Sequence, residues 1–212
     1  MSPTVTIARR SGARRRTVAR RRRIRTGTVV AIGALVAGIV LAMPLFEKAF
    51  NELTLPLAYS DVIRQQAAEK HLDPALIAAV IYAETKFDPR ASSAGAEGLM
   101  QILPGTAKYL ARRSGATTFR ISDLGTPAVN IAYGSYYLRY LLDHYHGQLP
   151  LALAAYNGGM TNVDRWVAAA RSQGGELTVD QIPFPETRAY VARVLQAQQD
   201  YRHTYAHQLG YD

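Results

Sequence analysis

The sequence predicts a mainly α-helical protein, a single globular helical domain that follows one N-terminal transmembrane helix. Residues 26–46, TGTVVAIGALVAGIVLAMPLF, run 21 positions without a charge. From residue 60 onward, helix-start and helix-stop signals succeed one another, while alternating patterns of useful strand length and repeats at a period of 20–50 residues are missing. A chain of 212 residues has room for one well-packed domain of about 150 residues plus an appendage.

The elements follow in order. Ten arginines (Arg9, Arg10, Arg14, Arg15, Arg16, Arg20, Arg21, Arg22, Arg23, Arg25) fill residues 1–25. The apolar run behind them would extend about 31 Å as a helix, enough to cross a bilayer's hydrocarbon core. The positive-inside rule then keeps the tail cytoplasmic and puts everything after Phe46 outside. A cleaved leader is the rival reading, but the apolar run is longer than a leader's usual core, which favours an uncleaved anchor. The segment NELTLPLAY carries a proline and mixed polarity and reads as a connector, giving a linker over 47–56 and a domain over 57–207. Within the domain, helices read as 60–70; from the Asp73-Pro74 start signal to near Thr85; after Pro104; 128–146, stopped by Gly147; 150–157, stopped by Gly158-Gly159; 162–172; and 186–206 behind Pro185. Arg90 to Gly98 is a loop or short hairpin.

Charge narrows the function classes. The net +9 comes from the tail, because residues 47–212 hold 15 basic against 16 acidic residues. A near-neutral folded part has no broad phosphate-binding face, so no nucleic-acid partner is expected, and the tail reads as a topology signal. With no cysteine, a disulfide framework, a thiolate zinc site and a cysteine nucleophile are excluded. The five histidines show no metal-ligand spacing; His203 and His207 are four apart but fall at what reads as a frayed end.

The most informative residue is Glu84, at the end of a helix whose other positions (Leu76, Ile77, Ala78, Ala79, Val80, Ile81, Ala83) are nearly all apolar. Desolvation and the negative end of the helix dipole both disfavour its ionised form, so its pKa should rise. A carboxylic acid kept protonated near neutral pH suits glycosidic bond cleavage, where the leaving oxygen must gain a proton. On position alone, a surface Glu paired with Lys86 or Arg90 is an even match for that reading.

The surrounding motifs decide. Glu84-Thr85-Lys86-Phe87-Asp88-Pro89 leads to Ser92-Ser93-Ala94-Gly95-Ala96-Glu97-Gly98-Leu99-Met100-Gln101-Ile102 and Pro104-Gly105-Thr106-Ala107; Ala154-Ala155-Tyr156-Asn157-Gly158-Gly159 and Pro183-Phe184-Pro185-Glu186-Thr187-Arg188-Ala189-Tyr190-Val191 follow. This text resembles the signature of soluble lytic transglycosylases over most of residues 57–205. The resemblance implies a mainly α, α+β lysozyme-like fold and one catalytic glutamate, which the match places at Glu84. It implies a substrate of peptidoglycan glycan strands, cleaved at the β-1,4 bond between N-acetylmuramic acid and N-acetylglucosamine with closure of a 1,6-anhydro ring, and no cofactor or metal. Two departures stand out: Thr85 replaces the family's usual serine, keeping a hydroxyl, and the gap from Glu84 to Gly98 is one residue short. The family's substrate-contacting serine is therefore Ser92 or Ser93, with Ser92 the choice.

The remaining substrate-binding candidates follow the same match. Met100 and Gln101 would line the cleft beside the cleaved bond. Tyr156 could stack on a sugar while Asn157 bonds its polar edge. Glu186 and Tyr190 share one helical face and could both enter the groove, although Glu186 could instead pair with Arg188 or Arg193. Asp88 reads as a turn cap and Trp166 as core. The leading reading is a lytic transglycosylase tethered to the cytoplasmic membrane by a single pass, its catalytic domain on the outer side. A muramidase using the same acid with water, a non-catalytic wall-binding module, and nucleic-acid binding through the tail are the alternatives.

Overall fold

The computed structural model describes residues 38–40, 43 and 55–211. The chain divides into two units, residues 1–50 and 51–212. In the first, residues 38–40 and 43 are helical and exposed. The arginine tail, most of the 26–46 span and the linker up to residue 54 lie outside the described residues. Among the described residues no helix is long and apolar enough to cross a membrane.

The second unit is built from α1 (Ser60–Lys70), α2 (Pro74–Thr85), α3 (Pro104–Ser114), α4 (Pro127–His144), α5 (Leu149–Gly158), α6 (Met160–Ser172), α7 (Pro185–Thr204) and α8 (Ala206–Leu209), with 3-10 turns at Ile121–Gly125 and Val179–Gln181. Five of these helices carry proline at their first or second position, where its missing N–H has no intrahelical partner to lose. Asp73 caps α2 by accepting from the Ala75 amide at 3.0 Å, and Gly115 in the left-handed region closes α3. The predicted helix ends shift by no more than two residues.

The described residues are mainly helical, as expected, and the only β pairing among them is an isolated antiparallel bridge, Glu97 to Ile102. It pins the loop 98–101 without extending into a strand. Contacts at both ends reach beyond the expected bounds of 57 and 207. Leu55 is buried, its carbonyl accepts from the Tyr205 hydroxyl at 2.8 Å, and the Tyr201 hydroxyl reaches the Pro56 carbonyl. Leu55 and Pro56, inside the expected linker, therefore pack with the domain. At the other end Leu209 is buried, and the Tyr211 hydroxyl reaches the Asp73 carboxylate and accepts from the Ala75 amide. The C-terminus thus seals the start of α2, and the region around His203 and His207 is not frayed.

The core is organised around α2. Ala75 through Ile81 are all buried, as an all-round apolar helix requires, and α2 packs chiefly against α7. Helix α5, with Leu151 to Ala155 buried, packs on α4, α6 and α7. The ends of α2 and α5 and the first half of α7 therefore meet, and that meeting point holds the site.

Candidate active site

Glu84 is the penultimate residue of α2, half-buried where the helix emerges from the core. Burial pushes its pKa up to about 7, opposed in part by the Tyr190 hydroxyl and the Arg193 guanidinium, both of which favour the charged form. Neither Lys86 nor Arg90 pairs with it; Arg90 lies 3.7 Å from Asp88 instead. No second carboxylate contributes to its titration. The sequence alone explains this: an apolar helix must be buried, so a carboxyl at its last turn loses water before it gains a partner.

Two phenols face this carboxyl from other helices. Tyr190 of α7 is fully buried; its hydroxyl completes no well-formed hydrogen bond, yet it lies close enough to Glu84 to help hold the ionised form. Tyr156, near the end of α5, donates to the Met100 carbonyl at 2.8 Å. Burial first, and the Glu84 charge second, push both phenol pKa values well up, so both stay protonated donors.

The loop after α2 is braced by polar bonds. The buried Thr85 hydroxyl donates to the Leu99 carbonyl at 2.8 Å, which is the task its hydroxyl performs in place of serine. Ser92 Oγ accepts from the Ala96 amide at 3.0 Å, while Ser93 is exposed. The Gln101 carboxamide donates to the carbonyls of Arg90 and Gly98 at 2.7 and 2.9 Å, its backbone held at φ 49°. Met100 departs from expectation: its side chain is fully buried against Gly134, so it fills the core rather than a cleft wall. A glycine is needed there, because a Cβ at position 134 would lie 2.3 Å from Met100 Sδ.

The structure brings Glu84, Tyr156, Tyr190 and the Met100 backbone together. Asn157 is exposed and accepts from the buried Thr187 hydroxyl at 2.8 Å, which ties the end of α5 to α7. Glu186 stands apart: it is exposed and forms no ion pair among the described residues. Arg188 donates to the Ile182 carbonyl, and Arg193 sits 5.9 Å over the Tyr190 ring. Trp166 is half-buried rather than core, edge-on to Phe184 at 4.8 Å and lining a cavity of about 390 Å³ with Gln173, Glu176 and Gln181.

Sequence reasoning gave no supporting role to three residues, although Thr187 lies in one of the motifs and Arg193 stands there only as a partner for Glu186. Asn130 is fully buried on α4; its carbonyl accepts from the Met100 amide at 2.7 Å, and its amide donates to Glu97 and Leu124. Thr187 and Arg193 complete the set. An Asn near a helix start looks like any surface residue, and no spacing signal marks Asn130. Among the described residues no three His, Cys, Asp or Glu side chains gather closely enough to hold a metal.

The site is thus a helical domain's half-buried carboxyl, its pKa raised by burial, set beside two phenols and a braced loop. The chain belongs to the Transglycosylase SLT domain family, which it matches over residues 61–179, more than half its length. Among its relatives is the soluble lytic murein transglycosylase of Salmonella typhimurium, 34% identical over 155 residues, which are 72% of this chain and 24% of that protein. Its fold matches that of an inactive mutant of the lytic transglycosylase Slt from Pseudomonas aeruginosa (TM-score 0.66, 32% identity, 74% of this chain and 26% of the other). It likewise matches a 70-kDa soluble lytic transglycosylase in complex with bulgecin A (TM-score 0.66, 32% identity, 73% and 25%). The chain thus spans about a quarter of the length of these relatives.

Proposed function

We propose that this chain is a peptidoglycan lytic transglycosylase with Glu84 as its sole catalytic acid and base. The carrying observation is a carboxyl pushed up to about 7 with no second carboxylate acting on it. In the reaction, the protonated Glu84 gives its proton to the oxygen bridging N-acetylmuramic acid and N-acetylglucosamine. The bond from that oxygen to the anomeric carbon breaks, and its electron pair stays with the leaving sugar. The muramic 6-hydroxyl oxygen then bonds the same carbon and returns its proton to Glu84, leaving a 1,6-anhydro ring. An intramolecular nucleophile is already positioned, so no second carboxylate is needed to activate water. While Glu84 is ionised, Tyr190 and Arg193 favour its charge, which supports its turn as a base.

Substrate contacts are assigned to Ser92, Gln101, Tyr156, Asn157, Tyr190 and Glu186, while Met100 acts indirectly, its backbone anchoring the Tyr156 hydroxyl and the Asn130 carboxamide. Ser92 and Gln101 use part of their hydrogen-bonding capacity to shape the loop, and the Ser92 hydroxyl proton remains free to reach a sugar. The exposed Glu186 would meet a more distant part of the strand. The charge-free run at 26–46 behind its arginines supports a single-pass anchor with the domain outside the cytoplasmic membrane. The charge balance of residues 47–212 supports a glycan rather than a nucleic-acid partner, and the mechanism calls for no cofactor or metal. A hydrolytic muramidase would share the acid but require a base for water, which this surrounding does not supply.

The test is digestion of purified sacculi by the full chain in detergent, with the released muropeptides weighed. Products one water lighter than their hydrated forms are expected; exclusively hydrated products contradict the lytic reading. Glu84→Gln should lower turnover by about 10²–10⁴. It should still bind bulgecin A, the ligand seen on the 70-kDa relative.

A further inference from the structure

The segment between α6 and α7 folds back over Trp166 and encloses a hollow that none of Glu84, Tyr156 and Tyr190 lines. Helix α6 ends in a closed turn. The Gln173 and Gly175 amides donate to the Ala170 carbonyl, and the Gly174 amide to that of Arg171, with Gly174 at φ 79°. The chain then returns through Thr178, whose amide donates to Gln181 Oε1 at 3.0 Å and fixes the next turn. Ala169, Ala170 and Gly175 add little side-chain bulk, which leaves a cavity of about 390 Å³ beside the Trp166 ring. That volume lies in the range of small-ligand sites.

Its chemistry is one-sided. Glu176 is the one charged residue among those lining the cavity, and its carboxylate has no ion-pair or hydrogen-bond partner among the described residues. The Trp166 ring and the carboxamides of Gln173 and Gln181 line the same space. An unpaired anion beside an aromatic ring favours a cation, which gains from the carboxylate and from the negative ring face. An anionic ligand would meet no counter-ion there. Trp166 also touches the side of the site where α5 ends: a Cβ on Gly158, next to Asn157, would lie 3.6 Å from Trp166 Cη2. Phe184, just before the Pro185-Glu186 start of α7, stands edge-on to Trp166 at 4.8 Å.

We propose that this cavity takes the ammonium-bearing side chain of the diamino acid in the substrate's stem peptide, with Glu176 as its counter-ion and Trp166 as the surface on which it lies. This rests on the glycan-cleaving reading and adds to it a choice among stems. Cross-linking turns that amine into an amide and removes its charge, so the cavity favours strands whose stems are not cross-linked through it.

The cavity carries its own reporter, because Trp166 is the chain's single tryptophan. The full chain in detergent is titrated with a muramyl stem peptide whose diamino acid has a free amine, and with the same peptide acetylated at that amine. Neither contains the bridging oxygen between two sugars, so binding is read apart from turnover. Trp166 emission should change saturably, and acetylation should weaken binding about tenfold. Glu176→Gln should weaken the free-amine peptide by a similar factor and leave the acetylated one unchanged, while Glu176→Asp should keep most of the preference. Glu176 is exposed, so an unchanged thermal midpoint is expected of both variants, and the two peptides make the same comparison on the unaltered chain. An emission that does not respond, equal affinity for the two peptides, or a preference that survives Glu176→Gln overturns the assignment. The cleavage reading is decided separately, by the mass of the products released from sacculi.

Discussion

Replacing Glu84 by Gln should make the protein more stable at alkaline pH and leave it nearly unchanged at acid pH. In the folded chain the carboxyl titrates near about 7, against 4.5 for an ordinary glutamate. Below the lower value both folded and unfolded chains carry the proton, and the group costs nothing. Between the two, the unfolded chain ionises while the folded one keeps its proton, so unfolding gains as pH rises. Above the upper value the full cost of a desolvated charge is present. At about 1.4 kcal/mol per pH unit, discounted for partial exposure, that cost is about 2–3 kcal/mol. Gln carries no charge, so the variant escapes it. Thermal unfolding of both proteins from pH 4 to pH 8 should show a difference in Tm that grows by about 5–9 °C across the range, on top of any constant offset from the amide. A difference that stays flat, or that shrinks as pH rises, refutes the idea of a carboxyl held neutral by burial.

The remaining predictions concern the supports. Tyr190→Phe removes a hydroxyl that favours ionised Glu84, so the alkaline fall of kcat/KM should move to higher pH, while stability changes little or improves; a fall at unchanged pH shows that the phenol does not act on the acid. Asn130→Ala strips partners from the Met100 amide and two carbonyls and should cost about 3 kcal/mol or more by denaturant unfolding. Gly134→Ala drives a methyl into Met100 and should cost about 1–3 kcal/mol with reduced turnover, whereas an unaltered melt would mean that the core yields at that point. Thr85→Val leaves the Leu99 carbonyl unpaired and should cost about 1–3 kcal/mol, with Thr85→Ser restoring most of it.

Much of this fold was legible because its helices are punctuated by strong local signals. Asp73-Pro74 opens α2 through a side-chain cap, and Gly158-Gly159 closes α5 where the sequence shows it. Glu84 was legible for a related reason: an all-apolar helix has one place for a buried acid. What escaped was tertiary. Met100 reads as a cleft residue by its motif, but only the packing against Gly134 reveals that its side chain points into the core. Asn130 reads as an unremarkable helix position until Met100, Glu97 and Leu124 arrive from distant parts of the chain. The C-terminus looked frayed because the sequence does not show Tyr211 reaching Asp73, more than a hundred residues earlier. The short bridge at Glu97 and Ile102 is too small to carry a strand pattern at all.

The central claim is that Glu84 carries a proton at the pH where the chain works. It is tested most directly by following the carbon-13 resonance of the Glu84 side-chain carboxyl through a pH titration, assigned by its loss in Glu84→Gln. A midpoint near about 7 is predicted from its burial beside Tyr190 and Tyr156. A midpoint at the 4.5 of an ordinary glutamate would contradict the account.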